Sequence, residues 1–590
     1  MPPRVGVFVC HCGVNIGAVV DVAAVKRTMI SDPRVVRVLD HRYLCSEAGQ
    51  ASLRQACREA ALDRVVVAAC SPNMHEATFR SCVAEAGLNP YQLEIANIRE
   101  QCSWVHSRDP ITATQKAVAL VRSAVENVIG DEPLGWLRLP LVRRALVIGG
   151  GLAGMQAALD IADAGHQVVL IEREERLGGR VASLSQVYPY LRPASHLTDG
   201  RMDRVNGHER VQVLTNTVVK AVSGHVGSFR VTLQSTCSAG TKNGGSKTEI
   251  EVGAIVLATG FSLMPKTHLP EYGASACQDV VDALEIERML QRDGPTGGKI
   301  LRPSDGREPK EVAWIQCAGS RDIEHGVPYC SKICCMYVAK QAVQFQRQSP
   351  GAQAYVFYID LRAGGKGYEE FVQRAVEQDG VLYIRGKASR VFSEADKVVV
   401  WGVDTLTGKH VEVRADLAVL AMAALPHPSA RELAGVLHVA TDEVGFFSEA
   451  HPKLRPLESL TAGVFLAGGA QGPKDIPETV AQASGAASKV LALFAREEML
   501  QEPLIARVQA ELCSGCGLCV AACPYEARVL DPRKSVANVV AALCQGCGAC
   551  VSACPNNACE LNNTSSTQVM AMVEALLQEQ AVPEWMIGQS

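Results

Sequence analysis

Three short runs near the start of the chain are apolar at nearly every position: RVGVFVC (4–10), RVVRVL (34–39) and DRVVVAAC (63–70). Continuous β-branched runs of this length read as strands of a buried sheet. Between and after them the apolar spacing lengthens to a helical period in VDVAAVKRTMI (20–30), ASLRQACREAAL (51–62) and TATQKAVALVRSAVENVI (112–129). Residues 1–130 therefore predict a small N-terminal α/β domain. DEPLGWLRLPLVRR (131–144) holds two prolines and no helical period, and reads as a linker. A second α/β region runs from Ala145 to about residue 495, interrupted by two loops, 238–249 and 293–311, both expected to be exposed. Residues 496–506 lead to a cysteine-dense tail, with a domain at 507–562, a C-terminal segment 563–590 and a short amphipathic helix at 567–580. No solenoid repeat is present; the internal duplication is confined to the tail.

The chain has 590 residues, enough for several cores, and 47% hydrophobic residues. Its net charge of −4 offers no basic field for nucleic acid or anionic lipid. No apolar run reaches the roughly 18–20 residues that span a bilayer. The start, MPPRVGVFVCHCGVN, breaks at a Cys-His-Cys-Gly turn and makes a poor signal peptide, so a cytoplasmic location is expected. The 22 cysteines are clustered: seven before residue 103, four in 317–335 and nine in 513–559. In a reducing compartment such clusters read as metal ligands before disulfides. Scattered Cys57, Cys82, Cys237 and Cys277 read as small buried apolar groups.

The tail carries Cys513-x2-Cys516-x2-Cys519-x3-Cys523-Pro and again Cys544-x2-Cys547-x2-Cys550-x3-Cys554-Pro. This is the bacterial two-cluster ferredoxin spacing, in which the fourth cysteine of each run ligates the other cluster. One [4Fe–4S] cluster is then expected on Cys513, Cys516, Cys519 and Cys554, the other on Cys544, Cys547, Cys550 and Cys523. Gly515, Gly517, Gly546 and Gly548 permit the tight turns, and each fourth cysteine is expected to start a helix. Cys559 is left over as a non-ligand. Two structural zinc sites are the competing reading.

Within RRALVIGGGLAGMQAALDIADAG, Gly149-x-Gly151-x-x-Gly154 stands between a strand and a helix, and Glu172 ends the next strand. Glycines at this spacing allow a tight turn and close approach of a pyrophosphate to a helix N-terminus, and the acid suits ribose hydroxyls. Three later segments indicate FAD rather than NAD. Leu177-Gly178-Gly179-Arg180 looks like the Gly-Gly turn of two-dinucleotide reductases. AIVLATG, ending in Thr259 and Gly260, matches their return strand. GVFLAGGAQGPKDIPETV brings Gly469, then Asp475 and Ile476 at the start of a helix whose positive end would face the flavin. Where a second GxGxxG for NAD(P)H would stand, the chain has EVAWIQCAGSRD and a Cys317-x12-Cys330-x3-Cys334-Cys335 pattern. A third [4Fe–4S] cluster beside the flavin is the preferred reading, a vicinal redox disulfide the alternative.

VFVCHCGVNI, AACSPNMHEATFR, ANIREQCSWVH, the Cys317–Cys335 block, YIDLRAGGKGYEEF and QGPKDIPETVAQAS together resemble the A subunit of heterodisulfide reductase, an FAD iron–sulfur protein, over nearly the whole chain. The resemblance implies a four-iron cluster on Cys317, Cys330, Cys334 and Cys335 next to FAD, and a flavin able to split electron pairs. It also implies an α/β multidomain fold: a thioredoxin-reductase-like FAD domain (145–495), the N-terminal α/β domain and the C-terminal 2[4Fe–4S] ferredoxin domain. The chain is a short form, because the stretch from Thr259 to about Val312 has one cysteine where archaeal members insert another ferredoxin domain. SQVYPYLRPASHLTD (185–199) also lacks the Cys-x2-Cys pair that many members carry. Cys10, Cys12, Cys45, Cys70 and Cys102 are the candidates for an N-terminal cluster, with Cys10, Cys45 and Cys70 as its core and a reduced-thiol state as the alternative. His75 and Glu76 read as local hydrogen-bonding groups with a catalytic role as the alternative, His11 and His106 as non-ligands, and Lys366 as a candidate for the flavin edge.

The expected function is an electron hub: an oxidoreductase subunit with FAD and three or four clusters, exchanging electrons with partner subunits and open to electron bifurcation. The expected partners are HdrB/HdrC-like redox subunits, hydrogenase- or dehydrogenase-linked, around a homodimeric core, with no nucleic acid and no transmembrane segment. A stand-alone NAD(P)H-dependent flavoprotein disulfide reductase and a non-catalytic iron–sulfur scaffold are the competing classes.

Overall fold

The strands Val5–Cys10 and Arg64–Ala69 are apolar throughout because both of their faces are covered. They form the middle of a four-stranded parallel sheet, flanked by Val35–His41 and Leu93–Asn97. Val5, Val7 and Val9 pack against the helices Val22–Ile30 and Pro110–Ile129. Phe8 and Cys10 face the opposite side, against Glu47–Glu59 and Pro72–Glu85. Side-chain caps open three of these helices: Asp21 accepts from the Ala24 amide at 2.9 Å, Ser46 from Gly49 at 3.2 Å and Asp109 from Thr112 at 3.1 Å. Two elements escaped the sequence pattern. The helix Pro72–Glu85 begins with a polar turn behind its proline, and Leu93–Asn97 is a short, half-polar edge strand.

The computed structural model describes residues 2–236, 246–324 and 326–578, and the chain forms two compact units. One unit joins Met1–Leu139 to Leu500–Ser590; the other is Pro140–Met499. In the first, the C-terminal helix Ser566–Leu577 packs along Pro110–Ile129. Buried amides tie the two ends of the chain. Asn563 Nδ2 donates to the carbonyls of Tyr91 (2.8 Å) and Glu132 (3.1 Å), and Gln568 Nε2 donates to Asn127 O (3.2 Å) and Asp131 Oδ1 (3.1 Å). In the tail, Gly517 and Gly548 adopt left-handed φ of +77° and +78° and open the short helices Leu518–Ala521 and Ala549–Ser552. Those helices carry the third cysteine of each run. Cys523 and Cys554 follow the helix ends, so the expectation that each fourth cysteine starts a helix is corrected: the left-handed glycine begins the helix before it.

The second unit repeats one architecture. The strands Val211–Leu214, Gln167–Ile171, Arg144–Ile148, Ala254–Leu257 and Val464–Leu466 form a parallel sheet in that order. Its antiparallel companion is Thr217–His225, Ser228–Ser235 and Lys247–Val252. A second parallel sheet runs Val280–Asp282, Leu417–Met422, Glu311–Ala318, Gln353–Tyr358 and Leu382–Arg385, again with three antiparallel strands beside it. This is the two-dinucleotide architecture. Cys237 and residues 238–245 of the expected loop lie outside the described residues.

The loop 293–311, expected to be merely exposed, is anchored. Arg302 is 6% exposed; its Nη2 lies 2.9 Å from Asp279 Oδ2 and 3.0 Å from Asp396 Oδ1. Removing one partner of a buried pair strands the other charge, at a cost of about 3–5 kcal/mol. Arg302→Ala should destabilise this unit by roughly that amount, read in a urea titration followed through the buried Trp314 of the same sheet; an unchanged midpoint would contradict the anchoring role.

Candidate functional site

Arg144–Ile148 runs through the glycine turn into the helix Leu152–Asp163. Gly149 has φ +109°, and a Cβ there would meet the Ala258 carbonyl oxygen at 2.4 Å; one on Gly154 would meet the Gly149 oxygen at 1.8 Å. No side chain fits either position, so the turn stays bare for a ligand's approach. Beside it lies a cavity of about 790 Å³, within the range of cofactor sites. It is lined by Gly149, Gly151, Glu172, Gly179, Arg180, Thr259, Gly260, Gly469, Asp475 and Ile476. Gly154 packs behind the turn. The Thr259 hydroxyl is buried without a partner, as a group awaiting a ligand would be. Glu172 Oε2 accepts from the Gly150 amide at 2.6 Å, which holds its carboxylate at the turn. Arg180 donates to the Phe261 carbonyl at 2.8 Å and lies over the Phe261 ring, and burial pulls its pKa down. Asp475 caps the helix Ile476–Phe494, accepting from Glu478 N at 2.9 Å and from the Tyr368 hydroxyl at 2.7 Å. These residues fit a flavin dinucleotide.

Lys366 departs from its expected place: it is exposed and absent from the cavity lining, because Gly367 (φ +77°) turns the chain so that Tyr368 points inward to Asp475 instead. The cavity's cations are others. Lys474 lines it, and burial brings its pKa down to about 8. Lys340 also lines it, 1% exposed, with Nζ 2.5 Å from Glu287 Oε1 and 3.0 Å from the Gln186 carbonyl. Lys474 immediately precedes the capping aspartate, the one signal that could have exposed it; Lys340 lies within an ordinary amphipathic helix.

That helix, Cys334–Gln348, begins with two of the four central cysteines. Cys317, next to last in the strand Glu311–Ala318, has φ +58°, and its sulfur hydrogen-bonds that of Cys334, which also contacts Cys335. The Cys334 thiol's hydrogen bond pulls the Cys317 pKa down against the opposing effect of burial, with Arg321 adding to the fall. Arg321, paired with Asp360 at 2.7 Å, faces both Cys317 and Cys330. One turn into the helix, Tyr337 lines the cavity and faces Cys317, Cys334 and Cys335. Clustered thiols near a cation are chemically suited to ligate iron.

In the N-terminal domain, loops at the C-terminal edge of the sheet gather Cys10, Cys12, Cys45 and Cys70. Cys10 faces Cys12 and Cys45, and Cys70 faces Cys12. Arg99 Nη1 donates to Cys12 Sγ at 3.3 Å and faces Cys70. Burial raises the Cys10 and Cys70 pKa values. Cys102 does not join them: the turn Arg99–Ser103 directs it into the apolar core with Ala117 and Val121. Cys57 and Cys82 are buried among apolar side chains, and Cys277 is partly buried in another core. His11 Nε2 lies 2.7 Å from Asp40, and Glu76 accepts from Arg80 at 2.6 Å; His75 packs edge-on against Phe79.

The tail holds two small cavities. Cys513, Cys516, Cys519 and Cys554 line one, and Cys523, Cys544, Cys547 and Cys550 line the other. Cys559 also lines the first. Each four-thiol set with its glycine turn fits a [4Fe–4S] cube, and each takes its fourth cysteine from the opposite run.

Residues 143–295 match the pyridine nucleotide-disulphide oxidoreductase family and residues 505–555 the 4Fe-4S dicluster domain. An iron-sulfur A subunit of CoB--CoM heterodisulfide reductase, the one numbered 2 in Methanopyrus kandleri, is 41% identical, over 89% of this chain and 91% of its own. The A subunit of H(2):CoB-CoM heterodisulfide,ferredoxin reductase of Methanothermobacter thermautotrophicus is 40% identical over 98% of both. A solved structure, thioredoxin reductase of T. acidophilum, is 14% identical with a TM-score of 0.40, over 60% of this chain and all of that one. Among the described residues no helix is long and apolar enough to cross a membrane. With two-fifths identity sustained from end to end, the chain is an oxidoreductase that belongs to the family of heterodisulfide reductase A subunits.

Proposed function

We propose that this chain is the FAD and iron–sulfur electron hub of a heterodisulfide-reductase-like complex, with its first cluster held by Cys317, Cys330, Cys334 and Cys335. The observation that carries the reading is the helix Cys334–Gln348: its first residues are two of these cysteines, and Tyr337, Lys340 and Gln341 on the same helix line the dinucleotide cavity. FAD supplies the exchange between two-electron and one-electron transfer, and iron–sulfur clusters supply the one-electron steps. The chain's own residues bind and tune. The glycine turn and Glu172 seat the dinucleotide, the positive end of Ile476–Phe494 and Lys474 favour negative charge in the cavity, and Arg321 offsets thiolate charge. Tail cysteines Cys513–Cys554 form the exchange point with partner subunits of HdrB/HdrC type.

Two further parts of the reading rest on narrower support. Relatives whose names give both a heterodisulfide and ferredoxin as acceptors support electron bifurcation at the flavin, and a name that gives H(2) supports a hydrogenase-linked donor. The gathering of Cys10, Cys12, Cys45 and Cys70 supports a fourth cluster within the N-terminal domain. Against a stand-alone NAD(P)H reductase stands the second parallel sheet: at the end of Glu311–Ala318, where a nucleotide fingerprint would turn, Cys317 meets Cys334 instead.

Anaerobically purified protein should contain one FAD and about 16 irons with the N-terminal site filled, or about 12 without it; a content near 8 would remove the Cys317 cluster. NADH or NADPH added to the isolated chain should leave the flavin oxidised on the time scale of turnover, and fast bleaching would defeat the hub reading. Because the half-buried Lys474 loses its proton above about pH 8 and a bound anion favours the charged form, FAD affinity should fall as pH rises through that value. Lys474→Met should weaken FAD binding at pH 7 and flatten this dependence, as measured by equilibrium dialysis; an unchanged profile would exclude Lys474 as a ligand.

A further inference from the structure

The two halves of the tail are built alike down to their backbone hydrogen bonds. Ala537 N donates to Cys513 Sγ and Ala506 N to Cys544 Sγ, each at 3.4 Å. Ala558 N donates to Cys554 Sγ and Ala527 N to Cys523 Sγ, each at 3.3 Å. On the crossed ligand assignment, each cluster therefore receives the same two amide donors in the same geometry, and these amides cannot separate the two potentials.

The symmetry breaks at the residue after Ala527 and Ala558. One half has Arg528, the other Cys559. Arg528 is only 3% exposed, and its Nη2 donates to Cys559 Sγ at 2.6 Å. Its Nε and Nη1 are buried without partners. Arg528 lines the cavity of Cys523, Cys544, Cys547 and Cys550, whereas Cys559 lines the other. A buried guanidinium that leaves two donors unmet is costly unless a ligand accepts from them. The sulfurs of a cube in the lined cavity are acceptors of the right kind, and Cys550 lies within the field of the Arg528 charge.

We propose that Arg528 sets the two tail clusters apart in potential, donating from Nε and Nη1 to the cluster held by Cys523, Cys544, Cys547 and Cys550 and making it the more easily reduced. One-electron reduction of a cube adds one negative charge and breaks no bond, so a fixed cation and hydrogen bonds to sulfur favour the reduced form. Cys559, at the equivalent position against the other cluster, brings no cation and instead accepts from Arg528. The tail thus acquires a direction: an electron arriving from a low-potential donor rests on the Arg528 side. This rests on the two-cluster reading of the tail.

The test is EPR-monitored potentiometry of the full chain, prepared anaerobically. The wild-type tail should contribute two midpoints besides those of the other clusters, and the signal altered by Cys547→Ser identifies the cluster on the Arg528 side. Arg528→Gln, with iron content unchanged, should disfavour reduction of that cluster at least tenfold, 59 mV for one electron, and move the other by less. Arg528→Lys, which keeps the charge, should preserve the order of the midpoints. Equal shifts of both clusters, or no shift, in an iron-replete Gln variant would overturn the proposal. If the Gln variant loses iron, Arg528→Lys decides: retained order supports the proposal, and merged midpoints overturn it. A wild-type tail with no pair of one-electron clusters would instead overturn the cluster reading itself.

Discussion

The flavin half of the molecule depends on the buried ion pair between Lys340 and Glu287. Both side chains are almost wholly shielded, and such a pair is tolerable only when every remaining donor and acceptor is satisfied. Here they are satisfied from three directions. Gln341 Nε2 donates to Glu287 Oε1 at 2.6 Å, the Ser185 amide and hydroxyl donate to Oε2 at 3.1 and 3.0 Å, and Lys340 donates to the Gln186 carbonyl. The network joins Cys334–Gln348, the helix Ala283–Leu290 and the segment after the Gly-Gly turn. A helix held in this way cannot slide, and its first turn keeps Cys334 and Cys335 at a fixed place beside the dinucleotide cavity.

A second regularity concerns strand ends. Among the described residues each of the three larger sheets is parallel, and each has candidate site residues at its carboxyl edge, where ligands bind in open α/β sheets. Cys10 ends one strand of the N-terminal sheet and Cys70 follows its neighbour, Gly149 follows the strand Arg144–Ile148, and Cys317 is next to last in Glu311–Ala318. At Gly149 a positive φ is free of strain, but at Cys317 it is not. At this strand end a cysteine holds the left-handed conformation that a glycine holds at Gly149.

Regular spacing made much of the candidate site legible. The doubled cysteine runs, the glycine turn with Glu172 and the Asp475 helix start are local patterns whose geometry depends on a few neighbouring residues. Lys474, Lys340 and Arg302 gave no such signal. Each is an unremarkable cation in sequence, and its role arises from burial beside groups distant in the chain. Lys366 misled for the same reason: a glycine-rich turn announces a bend without stating which neighbour points inward.

The sequence by itself determined the classes of chemistry, iron–sulfur ligation and dinucleotide binding, because ligand spacing and turn glycines are short-range constraints. Only the tertiary structure decided which groups meet. It brought Cys10, Cys12, Cys45 and Cys70 together while sending Cys102 into the core, and it laid the C-terminal helix along Pro110–Ile129. It also placed Arg528 opposite Cys559 between two otherwise matching halves. These contacts join residues far apart in the chain, and the packing that selects among them leaves no periodic trace in the order of the amino acids.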